Sequence, residues 1–317
     1  MNSILITGSA GFIGTHLSEH YLKAGYRVYG VDNYLTGSIQ NTDYLLHKYP
    51  KNFVFSEQDI SDKWTLDSVG IQNLKYVFHL ASPASVKLYQ KFPIETMQAN
   101  SIGLENSLQF ADHYRARLVF SSTSEIYGSP LSSPQKESDW GHVNSFGPRS
   151  CYDESKRFGE ALIFSYNQKN QTSHGLVRIF NTYGDRMHPN DDRVINSFLQ
   201  QALKNEDMTI YGDGQQTRSF CYIDDLVAGL VRYAESNLKQ PINLGNDHEV
   251  RILDLAKLVL EVTGSKSKIR FEPLPQDDPL QRRPDLTLAR QLLEYNPNIT
   301  LMDGLKKMMS VIDSTQL

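Results

Sequence analysis

The chain has 317 residues, a formal net charge of −4, 21% charged and 39% hydrophobic residues, which is the balance of a globular protein with ample core for one large or two modest domains. The mild acidity argues against nonspecific binding to nucleic acid or a membrane surface, although a local basic pocket for an anionic ligand remains compatible with it. Cys151 and Cys221 lack metal-ligand spacing and form no disulfide framework, no apolar run reaches membrane-spanning length, and Met1 leaves no room for a signal peptide, so the expected setting is the reduced cytoplasm, with no metal.

In chain order, Ser3-Ile-Leu-Ile-Thr7 is an apolar run of strand length that ends at Gly8-Ser-Ala-Gly11-Phe-Ile-Gly14. A helical pattern of Phe12, Ile13, Leu17 and Tyr21 begins inside that loop and runs to about Leu22. Gly8 permits a tight turn, Gly11 lets backbone approach a pyrophosphate, and Gly14 lets helix and strand pack closely. The helix N-terminus, with Phe12 and Ile13, offers free N–H groups to the phosphates. A second strand, Arg27 to Val31, ends in Asp32, about 20 residues past the loop, where an acid takes the adenosine ribose hydroxyls. Asn33-Tyr-Leu-Thr36-Gly37 then covers the adenosine half. No Lys or Arg follows Asp32 closely, and its carboxylate repels a 2′-phosphate, so the cofactor expected is NAD rather than NADP.

Phe53 to Ser56 reads as a third strand, after which Asp59 and Ile60 either frame the adenine or, for Asp59, cap a turn. A fourth strand spans Tyr76 to Ser82, its end residues Leu80, Ala81 and Ser82 letting the cofactor pass closely. One helix is expected from Pro93 to about Asp112, then strands over Arg117–Ser121 and Gly175–Phe180. This alternation predicts an α/β, Rossmann-type, doubly wound parallel sheet whose site lies beyond the carboxyl ends of the strands. Beyond Gly184, helices near 194–204, 223–234 and 253–262 mix with short strands and Pro/Asp/Gly loops, while Ile242–Leu244 returns to the sheet. The expected division is a cofactor domain over 1–183, with a returning segment near 222–245, and a smaller mixed α/β substrate domain over 184–317.

Tyr152 and Lys156 are four apart and share one face of a helix. A tyrosine with an ordinary pKa near 10 needs about 4 kcal/mol of preference for the phenolate to act as a base near neutrality. An adjacent ammonium and a cationic nicotinamide supply charge of the required sign. In Ser121-Ser-Thr123-Ser-Glu125, Thr123 is placed to bond a reacting hydroxyl, and Glu125 to exchange protons or position a water.

The glycine triplet, Ser122-Thr-Ser-Glu125, Tyr152-x-x-x-Lys156 and Asn181-Thr-Tyr-Gly184 together resemble the extended short-chain dehydrogenase/reductases that act on nucleotide sugars. The resemblance is nearest to the UDP-glucuronate decarboxylase (UDP-xylose synthase) family. It rests on His79-Leu-Ala-Ser-Pro-Ala-Ser85, Trp140-Gly-His-Val-Asn144, Gly147-Pro-Arg-Ser-Cys-Tyr-Asp-Glu154, Tyr211-Gly-Asp-Gly214, Gln216-Thr-Arg-Ser-Phe220, Asn243-Leu-Gly245, Gln276-Asp-Asp-Pro279 and Arg282-Arg-Pro-Asp285. It implies NAD-dependent oxidation at C4 of a UDP-hexuronate, loss of CO₂ from the resulting β-keto acid, and re-reduction to UDP-xylose. Tyr152 would be the base, Lys156 its orienting partner, and Glu125 and Arg282 would act around C5. Asn181, Tyr211, Arg218 and Arg282 would hold the nucleotide sugar, Thr182 and Arg193 would lie near NAD, and helices 93–112 and 152–169 would form a homodimer interface.

The chain departs from that pattern at Gln98, where the family has Lys, at Val86 and Ser145, where it has Pro, at Ser38-Ile39, which lacks a basic residue, and at Asp185, where Pro is usual. Lys87 and Lys91 are the cations nearest in sequence. Two other readings share Tyr152, Lys156 and the glycine loop: a 4-epimerase of another nucleotide sugar and a catalytically silent NAD-binding scaffold. A 4,6-dehydratase would need an acid where Ser124 stands.

Overall fold

The computed structural model describes all residues except 63, 65–69, 189–190, 274–280 and 316–317. The Gln276–Pro279 motif therefore lies outside the described residues. The first half alternates β1 (Ser3–Thr7), α1 (Phe12–Lys23), β2 (Arg27–Asp32), α2 (Ile39–Lys48), β3 (Phe53–Glu57), β4 (Leu74–His79), α3 (Val86–Lys91), α4 (Pro93–Asn100), α5 (Ile102–His113), β5 (Arg117–Thr123), α6 (Ser150–Asn170) and β6 (Gly175–Ile179). There follow β7 (Thr182–Tyr183), α7 (Val194–Leu203), β8 (Met208–Tyr211), β9 (Thr217–Ser219), β10 (Cys221–Tyr222), α8 (Ile223–Glu235) and β11 (Ile242–Leu244). The chain ends with β12 (Glu249–Arg251), α9 (Ile252–Thr263), β13 (Ile269–Glu272), β14 (Gln281–Arg282), α10 (Thr287–Leu293) and α11 (Leu301–Thr315).

Seven strands form one sheet in the order β3-β2-β1-β4-β5-β6-β11, every pairing parallel. Such strands are covered on both faces, which is why they read as continuous apolar runs. Alternate residues then enter opposite layers: Ile4, Ile6, Val28 and Phe78 join one core, and Leu5, Tyr29, Val31 and Val77 the other. The chain reverses its winding at β1, between β2 and β4, and opens a crevice at the strands' carboxyl ends. Three smaller sheets stand apart from this one: β12-β9-β14, β13-β8 and β10-β7.

Two expectations need correction. The fourth strand ends at His79 rather than Ser82, because residues 80–82 leave the sheet to pass over the glycine loop, with Leu80 N–H donating to Thr7 O at 3.2 Å. The helix expected over 93–112 is broken at Ser101 (φ −117°, ψ −82°), where its Oγ–H bonds the Met97 carbonyl at 2.6 Å. The Asn100 amide is meanwhile drawn toward the crevice by Ser82 Oγ and Ser155 Oγ, both at 3.0 Å. Among the described residues, no helix is long and apolar enough to cross a membrane.

Candidate active site

The loop from Gly8 to Gly14 is built for close approach. Gly8 has φ +73°, and a Cβ on it would lie 2.8 Å from the Ala81 nitrogen. A Cβ on Gly14 would meet the Gly8 carbonyl oxygen at 2.1 Å, so strand turn and helix touch backbone to backbone. Gly11 caps α1 without a side-chain hydrogen bond, which leaves the helix N–H groups facing the crevice. At the end of β2, Asp32 accepts from Ala10 N–H at 3.0 Å and Tyr34 N–H at 2.9 Å. Burial raises its pKa and these donors only partly offset the effect. Asn33 donates to Asp59 at 2.7 Å, joining the loops after β2 and β3. Asp32, Asn33, Thr36, Asp59, Ile60, Leu80, Ala81 and Ser82 line one arm of the crevice, and Glu95 and Ala99 complete it. Gly37 lies beneath Asp32, where a Cβ would come within 2.8 Å of Oδ1; it makes room for the acid rather than lining the arm.

The other arm gathers Phe12, Ile13, Thr123, Glu125, Tyr152, Lys156, Asn181, Thr182 and Arg193. α6 carries both Tyr152 and Lys156 and buries them, at 6% and 2% exposure. Lys156 Nζ donates to the Ser121 carbonyl at 2.7 Å and stands 5.8 Å from the centre of the Tyr152 ring. Burial pulls Lys156 down to about 7. Tyr152 is pushed above its ordinary value, first by burial and then by Glu125 and Asp153, against the Thr123 hydrogen bond and the Arg193 charge. The protein's own groups therefore keep Tyr152 a phenol. The downward shift expected from an adjacent ammonium and a cationic nicotinamide together is not produced by the protein's own groups, because burial outweighs them. The Tyr89 ring, from α3, stacks on Tyr152 with centroids 5.0 Å apart and planes 5° apart.

Glu125 lines the Tyr152 arm, and two guanidiniums share its Oε2: Arg149 at 2.5 Å and Arg282 at 3.1 Å. Arg282 is 2% exposed and also donates to the Gly128 carbonyl at 3.0 Å. Burial opposes ionisation of Glu125, but Arg282, Arg149 and Arg218 win and hold the carboxyl below its ordinary range. It is an anion that positions donors rather than a proton source. Next to it, Asp153 is pushed up to about 7, by burial first and by the Glu125 charge second. Two carboxyls in one cluster are thus driven in opposite directions.

Arg218, Arg282, Tyr211 and Asn181 line an adjoining cleft beneath α7 and β8. Arg193 is clamped by Asp191 at 2.6 Å while facing the crevice. Gln98 is exposed on α4 and lines neither arm, so the family's lysine position lies away from the sugar cleft. Lys87 stands 3.9 Å from Asp192, and Lys91 lies over the Phe92 ring at 4.9 Å. Arg149 and Asp153 were part of a recognised motif, yet sequence reasoning gave them no role. The signal was their place in the first turn of the Tyr152 helix. Among the described residues no cluster of His, Cys, Asp or Glu is arranged to hold a metal.

A doubly wound sheet, a glycine loop, a ribose acid and a buried Tyr–Lys pair beneath one crevice define an NAD-dependent enzyme of the extended short-chain dehydrogenase/reductase class. Residues 4–245 match the NAD dependent epimerase/dehydratase family, and the chain belongs to that family. It is 44% identical over 304 residues to UDP-glucuronic acid decarboxylase 1 of Danio rerio, covering 96% of this chain and 71% of that protein. UDP-glucuronic acid decarboxylase 4 of Arabidopsis thaliana is 42% identical over 305 residues, covering 96% and 67%. Among solved structures, UDP-glucuronic acid 4-epimerase from Bacillus cereus, in complex with UDP-glucuronic acid and NAD, superposes with a TM-score of 0.86 at 29% identity over 99% of each chain. UDP-glucose 4-epimerase from Thermotoga maritima, with UDP-glucose, gives 0.90 at 29% identity over 99% of this chain and 100% of that one.

Proposed function

We propose that this protein converts UDP-glucuronate to UDP-xylose and CO₂, using NAD without net redox change. The observation that carries the reading is Glu125, which lines one crevice with Tyr152 and Thr123 and is paired from behind by Arg149 and Arg282, the latter two lining the adjoining cleft. The glycine loop, held tight where a Cβ at Gly8 or Gly14 would strike backbone, and the buried Asp32 carboxylate fit a dinucleotide pyrophosphate and its adenosine ribose. Gly11, Phe12, Ile13, Asn33, Thr36, Asp59, Ile60, Leu80, Ala81, Ser82, Thr182 and Arg193 would complete that site, with Gly37 making room for Asp32. When bound, NAD supplies the reversible two-electron acceptor for C4 and a cationic ring beside Tyr152.

Tyr152, a phenol on the protein's own charges, would ionise only with the added positive charge of bound NAD, and the phenolate then takes the C4 hydroxyl proton, with Thr123 orienting the oxygen and Lys156 donating to the phenolate. The sugar then carries a carbonyl at C4 beside the C5 carboxylate. The bond from C5 to that carboxylate breaks, CO₂ departs, and the electron pair passes into a C4 enolate. Arg282 and Arg149 stabilise the developing negative charge, and Glu125 holds them in place. C5 takes a proton, and Tyr152 returns its own to O4. Asn181, Arg218 and Tyr211 hold the UDP moiety. The 4-epimerase reading is favoured by the likeness to the Bacillus cereus structure. Purified protein incubated with UDP-glucuronate and NAD decides between them: CO₂ and a UDP-pentose support decarboxylation, and UDP-galacturonate without CO₂ establishes epimerisation instead.

The division of labour we propose places the cofactor on residues 1–183 with the segment near 222–245, and the nucleotide sugar on 184–317. We further place the protein in the cytoplasm, in keeping with its two free cysteines, as a homodimer. The dimer reading is supported by Ile94, Met97 and Ile102 on α4 and α5 and by Phe158 and Phe164 on α6, all exposed apolar side chains.

A further inference from the structure

Decarboxylation of a carboxylate consumes one proton from solvent per turnover, because CO₂ leaves without the proton that C5 must acquire. The Tyr152 proton does not meet this demand, since it is borrowed from O4 and returned there. On the proposed function a nucleotide sugar would occupy the cleft lined by Asn181, Tyr211, Arg218 and Arg282, so the extra proton needs another way in.

On the far side of Glu125 from that cleft lies a small polar chamber walled by Glu125, Arg149, Arg282, Asp153, His142 and Asn144. Glu125 lines both the chamber and the catalytic arm. His142 and Asn144 are exposed at the chamber's mouth, whereas Asp153 is 6% exposed at its inner end. Asp153 Oδ1 is buried with no hydrogen-bond partner among the described residues, an arrangement costly for a protein carboxyl unless water reaches it. Its other oxygen is 3.9 Å from Arg149 Nε, too far for a firm ion pair.

We propose that this chamber is the solvent proton inlet for C5, and that Asp153 holds the proton and passes it through chamber water, past Glu125, to the enolate carbon. This rests on the decarboxylase reading. The balance is simple: Asp153 O–H breaks, a water O–H forms as another breaks toward C5, the enolate pair forms the new C5–H bond, and Asp153 is reprotonated from the mouth. Asp153 acts through water and is a positioning group for the proton; Glu125 stays an anion throughout.

The charges around Asp153 agree with this division. Glu125, from the turn after β5, and Glu154, from its own helix, favour the protonated acid, while Arg149, at the N-cap of α6, and Arg282 from β14 oppose it. Tyr89 from α3 and Tyr152 and Cys151 from α6 stand close by as neutral groups. With burial as the largest cause, the balance leaves a carboxyl that titrates near 7, where a relay exchanges protons most readily with solvent.

The test is Asp153→Asn, which keeps the shape and neutrality of the protonated acid but replaces its ionisable O–H by an amide that cannot give up its proton. With UDP-glucuronate and NAD, the variant should bind both as the native protein does but turn over at least about tenfold more slowly. Bound NADH, read at 340 nm, should accumulate because the enolate waits for its proton. In the native protein that NADH fraction should rise as pH passes through about 7, and in the variant it should be high at every pH. His142→Trp, which narrows the mouth without touching Asp153, should also raise the NADH fraction, so the idea survives a failure of the first variant to fold. An Asp153→Asn protein with native turnover and a native NADH fraction overturns the inlet alone. A native protein that binds UDP-glucuronate and NAD but releases no CO₂ overturns the inlet together with the functional reading.

Discussion

Tyr152 shows how far a residue's chemistry depends on what surrounds it. Its sequence spacing to Lys156 is shared by countless helices; what distinguishes it is a ring packed on Tyr89, a hydroxyl on Thr123 and a buried ammonium 5.8 Å from the ring centre. Tyr152→Phe should keep the stack and NAD affinity yet lower substrate-driven NADH formation by at least about a hundredfold, measured in a single turnover. Glu125→Gln removes the anion between Arg149 and Arg282, contacts of about 1.5–3 kcal/mol each when one partner is charged. It should slow turnover and lower Tm while NAD affinity, in which Glu125 has no assigned part, stays as it was. Thr123, Glu125, Tyr152 and Lys156 are singled out in the sequence because they follow a dinucleotide fold, and Arg282 through a family resemblance; the structure brings the first four to one crevice and Arg282 to the adjoining cleft. Arg149 and Asp153, though within a turn of Tyr152, are given no role by the sequence because the charges that define theirs, Glu125 and Arg282, come from other parts of the chain.

At the level of elements, the sheet strands were readable because each is an apolar run bounded by turn residues, and burial on both faces leaves no other use for such a run. The break between α4 and α5 was hidden because apolar spacing continues across Ser101, and periodicity records which face is buried rather than whether the backbone bends. The tightest fit in the cofactor half is between β1 and α1. Gly14→Ala would drive a methyl into the Gly8 carbonyl, which forces backbone to move and costs about 1–3 kcal/mol or more. Calorimetry should find NAD binding lost or severely weakened, and Tm should fall by several degrees. A variant that binds NAD normally would mean the loop adapts in a way this geometry excludes.

For the whole molecule, pH acts through buried histidine. His79, fully buried on β4 between Ser107 Oγ and the Ala99 carbonyl, is held down to about 3 by burial first and by the Lys156 charge second. Below its ordinary 6.5 the unfolded chain takes up a proton that the folded one refuses, so stability is lost as pH falls from that point. The slope is about 1.4 kcal/mol per pH unit for this one site. His174, also lowered by burial despite Asp112, adds in the same direction. Denaturant titrations between pH 7 and 5 should show the decline, and replacing His79 with Gln should make it shallower. Assembly is checked separately: light scattering should give twice the monomer mass, and Ile94→Asp with Phe164→Asp should return it to one. The smaller sheets were the least legible part of the fold, because strands of two to four residues carry too little pattern to announce themselves.

β11 reaches the parallel sheet only after the chain has left it for more than sixty residues, and it closes the flank of β6. A gene fragment stopped after residue 183 would therefore encode every glycine and acid of the dinucleotide cradle and still lack its last rib. The bared backbone of β6 would be free to zip onto a second fragment, so the two halves of this enzyme are to be expressed as one chain.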